Sequence, residues 1–132
     1  MQETLRIKTK QKLEIVDLTG QVADAVARSG VAEGLCTVFV RHATAAIVIN
    51  ENADAGFRRD IIAALAKLFP EGVWEHDKVD DNGAAHLKAA LLGPSEAIPI
   101  GGGRLLLGTW QGIALVECDG PRERQIVVDV RA

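Results

Sequence analysis

AIPIGGGRLLLGTWQGIALVECDGPRERQIVVDVR, residues 97–131, is the stretch that decides the fold. It holds four apolar runs, AIPI, RLLLG, GIALVEC and RQIVVDVR, each too short for a typical helix. Turn residues separate them. The GGG at residues 101–103 suits a tight hairpin turn, and the DGP at Asp119–Pro121 suits the turn before the last run. Apolar runs joined by tight turns read as strands of an antiparallel sheet.

The rest of the chain extends this reading upstream. TLRIKT, residues 4–9, alternates apolar and polar residues as a half-buried strand does, and LEIVDL follows as a second strand after a turn at Lys10–Lys12. TGQVADAVARSG is predicted to be a helix, with Thr19 as its cap, Val22 and Val26 one turn apart, and Gly30 as its stop. LCTVFVRH, residues 35–42, is rich in β-branched and aromatic residues and reads as an interior strand. AAIVINEN is expected to pair with it as a hairpin. Asp54 caps a second helix, in which Phe57, Ile61, Leu65 and Leu68 recur every three or four residues until Pro70 ends it. Residues 71–83 read as an ordered loop or lid, and GAAHLKAALLG as a third helix ending at Gly93. The order ββαββααβββ gives an α+β class in one domain spanning residues 1–132 rather than a parallel βαβ sheet.

Composition excludes several functions. The formal net charge is -3 and the basic residues are scattered, so no basic stripe marks a nucleic-acid partner. No apolar run approaches the roughly 20 residues of a membrane helix. MQETLRIKTKQK lacks the apolar segment of a secretory signal. Cys36 and Cys118 sit inside apolar runs without a CxxC pairing and read as buried, reduced thiols of a cytoplasmic protein.

The chemistry-bearing residues cluster around three histidines. His42 ends a strand, His76 lies in the acidic segment WEHDKVDDN, and His86 lies near the start of a helix. None sits on a regular apolar face. Three imidazoles with an open fourth position suit a catalytic divalent metal, zinc by ligand type, or an acid–base centre. Spacing alone equally allows three surface or hydrogen-bonded histidines. Glu51 and Asp81 are the carboxylates best placed along the chain to act as general base. GGGR at Gly101–Arg104 lacks the GKS/T tail of a phosphate loop and does not open a helix. Arg41, Arg104, Arg122 and Arg124 carry guanidinium forks that match phosphate. GTWQG, residues 108–112, is unusual between strands. A bulge aiming Thr109 and Gln111 at a ligand, or a Trp110 packed in an interface, both account for it.

SEAIPIGGGRLLLGTWQGI at 95–113, HATAAIVINEN at 42–52, DNGAAHLKAALLG at 81–93 and ECDGPR at 117–122 together resemble the blocks of a family of small conserved proteins typified by YjbQ. Ala43 stands where that family commonly has a hydroxyl residue, and Cys118 where it commonly has an aromatic. The resemblance implies a mixed, largely antiparallel sheet folded as a half-barrel, with helices packed on one side, and a homotrimer. It places all three histidines on family motif positions. Members are often named for a weak thiamine-phosphate synthase activity, which joins a pyrimidine pyrophosphate to a thiazole phosphate. The expected site is then His42, His76 and His86 as metal ligands, and Glu51 or Asp81 as base. Thr44, Asn82, Thr109 and Gln111 orient a small phosphorylated ligand, and Arg122 contacts its anion. Three functions fit: an enzyme on a phosphorylated metabolite, a metal-dependent hydrolase of another substrate, and a non-catalytic metabolite-binding trimer.

Overall fold

A computed structural model describes residues 1–132. In chain order the elements are β1 (Gln2–Lys8), β2 (Glu14–Asp17), α1 (Thr19–Ser29), β3 (Gly34–Val40), β4 (Ala45–Asn50), α2 (Ala55–Leu68), α3 (Gly83–Leu92), β5 (Ser95–Gly101), β6 (Arg104–Leu105), β7 (Gly112–Glu117) and β8 (Glu123–Arg131), with a 3₁₀ turn at Glu75–Lys78 before α3. The strands form two sheets, ordered β1-β8-β3-β5-β6 and β2-β7-β4. Every pairing is antiparallel. The sheets curl into the expected half-barrel.

Period-two alternation supplies the main core. Cys36, Val38 and Val40 of β3, Ile98 and Ile100 of β5, and Ile126, Val128 and Val130 of β8 point from the larger sheet toward Ile113 and Leu115 of β7 and Ala45 and Ile47 of β4. Val22, Ala25 and Val26 of α1 complete this cluster. A second cluster lies on the other face of the smaller sheet, where Ala46, Val116 and Cys118 meet Leu65 of α2 and Ala85 of α3. All six residues of β7 are therefore buried, which explains why GIALVE is continuously apolar up to its last residue.

Four local expectations are corrected. β3 and β4 are not a hairpin: β3 lies between β8 and β5, whereas β4 crosses to the other sheet and pairs with β7. β4 begins with Ala45, Ala46 and Ile47, all buried, and needs a cover on both faces. The larger sheet supplies one and α3 the other. Thr19 does not cap α1. Its hydroxyl accepts from the Ile113 N–H at 2.9 Å and donates to Asp17, whose carboxylate also accepts the Thr19 N–H at 2.9 Å. RLLLG contributes only two residues of strand, because the Leu106 side chain folds back against Gly101. The apolar stripe of α2 is also shallower than its periodicity suggests. Leu65 is buried and Leu68 exposed, while Phe57 and Ile61 line a cleft.

Other local readings hold. The Asp54 carboxylate accepts the Gly56 N–H at 2.9 Å and caps α2. Gly102 and Gly103 both take positive φ, 57° and 77°, as a two-residue hairpin turn of this hand requires. Cys36 and Cys118 are buried and unpaired, and burial pushes both thiols up to about 11. No helix is long and apolar enough to cross a membrane.

Candidate functional site

The site grows from one end of the core. The core-facing column of β7 runs Ile113, Leu115, Glu117, and that of β8 runs Val130, Val128, Ile126, Arg124. Each apolar column thus ends in a charge, and the two charges meet. Glu117 is wholly buried and Arg124 nearly so. Charges this deep persist only when paired and hydrogen-bonded. Arg124 Nε donates to Glu117 Oε2 at 2.8 Å, and its Nη2 donates to Glu117 Oε1. Nη2 also reaches the Thr44 hydroxyl at 2.9 Å and carbonyl at 3.1 Å. Burial alone would raise the Glu117 carboxyl. The Arg124 guanidinium, the Asp119 N–H and the Thr9 hydroxyl outweigh it and hold the group below its ordinary range. Nη1 of Arg124 is left without a protein acceptor.

An open polar cavity of about 600 Å³ lies over this pair. His42, Thr44, Asn82, His86, Arg122 and Arg124 line it together with Asp80, Asp81 and Asp119. The turn from β3 to β4 delivers His42 and Thr44. The His42 Nε2 accepts the Gln125 N–H at 3.0 Å, which assigns the proton of the neutral ring to Nδ1. Burial, and then the Arg124 charge, push its pKa below the ordinary value of 6.5, so the ring is neutral at pH 7. Asp119 ties two walls together. Its carboxylate accepts Asn82 Nδ2 and Arg122 Nη2, both at 3.0 Å, and its carbonyl accepts Arg122 Nε at 2.7 Å.

The third wall is the segment before α3. Asp77 accepts the N–H groups of Trp74 at 3.0 Å and Gly83 at 2.8 Å, and these two bonds lower its pKa. A Cβ on Gly83 would stand 2.8 Å from the Trp74 Cβ, so this close approach requires glycine. The buried stem of Lys88 brings its Nζ to 3.7 Å from Glu71 and anchors the start of the segment. Asp81 sits at φ 57°, a left-handed conformation that costs a non-glycine residue energy and recurs at functional positions. The His76 and His86 rings meet edge to face with centroids 4.5 Å apart. The His76 Nε2 and the Asn82 Oδ1 are enclosed without a hydrogen-bond partner. Asp80, 4.0 Å from that nitrogen, is too distant to bond it.

The chain thus brings His42, His86, Thr44, Asp81, Asn82 and Arg122 to one cavity, with His76 against His86. It does not bring Glu51, Thr109 or Gln111 there. Glu51 follows the far end of β4 and lines the cleft under α2. Thr109 and Gln111 precede Gly112, at the opposite end of β7 from Glu117, roughly 17 Å away by strand rise. The Gln111 side chain accepts the Gly108 N–H at 2.8 Å and so closes its own turn. Trp110 is 74% exposed. The expected three-imidazole metal centre does not fit this arrangement. No three His, Cys, Asp or Glu side chains are grouped to hold an ion. His42 commits one nitrogen to Gln125, and its protonated Nδ1 has no lone pair to offer.

Sequence reasoning passed over Glu117 and Asp119 and left Arg124 as one of four arginines. The signal was parity. Counting by two from Ile113 and from Val130 lands on Glu117 and Arg124, charges at positions where the pattern demands an apolar residue.

An antiparallel half-barrel with a buried Glu–Arg pair beneath an imidazole-lined cavity defines a small α+β protein with a polar cavity at one end of its core. The chain belongs to the UPF0047 protein YjbQ-like family, whose model matches residues 3–132. It is 43% identical over 125 residues to a UPF0047 protein of Methanocaldococcus jannaschii, a match covering 95% of this chain and 90% of that protein. It is 45% identical to a UPF0047 protein of Archaeoglobus fulgidus, covering 94% and 96%. The crystal structure of a protein of unknown function from Sulfolobus solfataricus superposes with a TM-score of 0.96 at 42% identity, covering 98% of this chain and 95% of that one. These relatives are conserved proteins of uncharacterised activity.

Proposed function

We propose that the polar cavity binds a small phosphorylated metabolite and moves a proton on it. Arg124, Arg122 and His42 hold the anion, and Asp81 and His86 take and return the proton. The observation that carries this reading is the free Nη1 of Arg124. A guanidinium locked on three sides by Glu117 and Thr44 offers its remaining N–H donors to whatever enters. An oxyanion is the natural acceptor for a fixed planar fork. The Nδ1–H of neutral His42 is a second donor on the same cavity. Asp119 does not oppose an anion, because Arg122 and Asn82 already neutralise and bond it. Asp80 points largely to solvent.

A group near its task must hold and release a proton without leaving the cavity. Asp81 is held by its backbone conformation, and His86 by α3 and by the His76 ring. Glu51 and the GTWQ turn lie outside this chemistry within one chain. The resemblance adds one reaction to assay, the joining of a pyrimidine pyrophosphate to a thiazole phosphate. A homotrimer in the cytoplasm also belongs to the proposal. The exposed Leu35, Leu106 and Trp110 support contact with further copies, and the two unpaired thiols support a reducing compartment.

The test is titration of methyl phosphate into wild type, Arg122→Gln, His42→Gln and Asp81→Asn, together with the coupling assay above. The first two substitutions should weaken binding about tenfold or more, each by the loss of a donor to an anion. Asp81→Asn should bind as wild type does and lose turnover. Absence of methyl phosphate binding to wild type would overturn the reading.

A further inference from the structure

His42 and His86 are walls of two cavities, not one. On one side is the polar cavity over Arg124. On the other is a larger cavity of about 750 Å³ whose remaining lining is mostly apolar, with Phe39, Leu87, Ala89, Ala90 and Pro94 among it. The two share His42, Ala43 and His86. Small residues on α3, Ala89 and Ala90, leave this space open. Charged and amide groups dominate one side, alkyl and aryl groups the other apart from Arg41, and two imidazoles stand between.

We propose that the apolar chamber takes the hydrocarbon body of the same molecule whose anionic end lies over Arg124. This rests on the reading of the polar cavity as an anion site. The ligand is then an amphiphile, a phosphate ester of an aromatic or branched alkyl group, rather than a sugar phosphate or a free inorganic anion. A sugar would bring hydroxyls into a chamber with few groups to bond them, and each unmet hydroxyl would count against binding. A ring of benzene size needs about 150 Å³, well within the space available. The ester oxygen falls at the boundary, between His42 and His86, where a proton is most useful to a departing or forming bond.

The experiment compares methyl phosphate with phenyl phosphate, which share the anion and differ in the body. Dissociation constants are measured for wild type and for Ala90→Leu, which fills the chamber from an exposed helical position with a good helix former. Wild type should hold phenyl phosphate about tenfold or more tighter than methyl phosphate, as expected for removing much of a ring's surface from water. Ala90→Leu should erase that advantage and leave methyl phosphate binding as it was. Equal affinities in wild type, or an advantage that survives in Ala90→Leu, would overturn the amphiphile while leaving the anion site standing. Failure of both esters to bind would overturn the anion site and the amphiphile with it. A change in sedimentation of Ala90→Leu with no change in either affinity would assign the chamber to contact between copies, against the proposal.

Discussion

Replacing Arg124 by methionine removes one half of a pair that is almost wholly buried. Glu117 would keep the Thr9 hydroxyl at 2.8 Å and the Asp119 N–H at 2.9 Å, but lose its only cation. An uncompensated buried charge of this kind costs about 3–5 kcal/mol. For a chain of this length that corresponds to a fall in melting temperature of roughly 10–20 °C at fixed protein concentration. The instability should belong to the orphaned carboxylate and not to the missing arginine. Adding Glu117→Gln, which keeps an acceptor for the Asp119 N–H, should therefore recover at least about half of the loss. The double variant should still fail to bind methyl phosphate, because Nη1 is gone. Calorimetry and titration on the three variants separate the two roles. A loss below about 1 kcal/mol in Arg124→Met, or a double variant no more stable than the single one, would refute the account of the pair.

The imidazole of His42 should titrate below 6.5 by proton NMR, since burial and Arg124 disfavour its charged form. The unfolded chain takes up this proton first as pH falls, so the contribution of His42 to stability is present above about 6.5 and is lost as pH drops through the folded value. A midpoint at or above 6.5 would contradict the placement. Ile47→Ala should cost about 2–5 kcal/mol in denaturant unfolding, as a wholly buried isoleucine at the meeting of the two sheets. Asp54→Ala should cost about 1 kcal/mol through the lost cap on α2 and leave anion binding intact. Chelator treatment should leave the melting temperature unchanged, because both apolar clusters form without any of the three histidines.

Much of the architecture was legible because period-two alternation and turn chemistry act locally. GGG, DGP and the apolar runs around them place β5 to β8 without reference to anything distant. The partner of β4 was not legible, because pairing is decided by which faces need cover, and AAIVIN shows only that both faces are apolar. Thr19 misled for a related reason. Its hydroxyl has two local uses in sequence, and the one that prevailed depends on Ile113, 94 residues away. At the site, His42, His86, Thr44, Asp81, Asn82 and Arg122 were recognisable as polar residues at the ends of apolar elements, where chain ends meet. Glu51 and Gln111 satisfy the same description, but they lie at the other ends of β4 and β7. Residue type and position along an element do not say which end of the barrel an element's terminus occupies.

The place of β8 bears on how the chain is made. This strand follows all the others in the sequence, yet it lies between β1 and β3, with Gln2 opposite Asp129 and Val38 opposite Val128. During synthesis β1 leaves the ribosome first and has no neighbour until more than a hundred residues later. β3 can rest only against β5 in the meantime. The larger sheet therefore cannot assemble vectorially, one strand upon the last. It must wait and close around its final strand, a long-range step of the kind that slows folding and leaves strand edges exposed while it is pending. Glu117 and Arg124 lie on either side of the turn that leads into β8, so the ion pair that supports the cavity also waits for that strand.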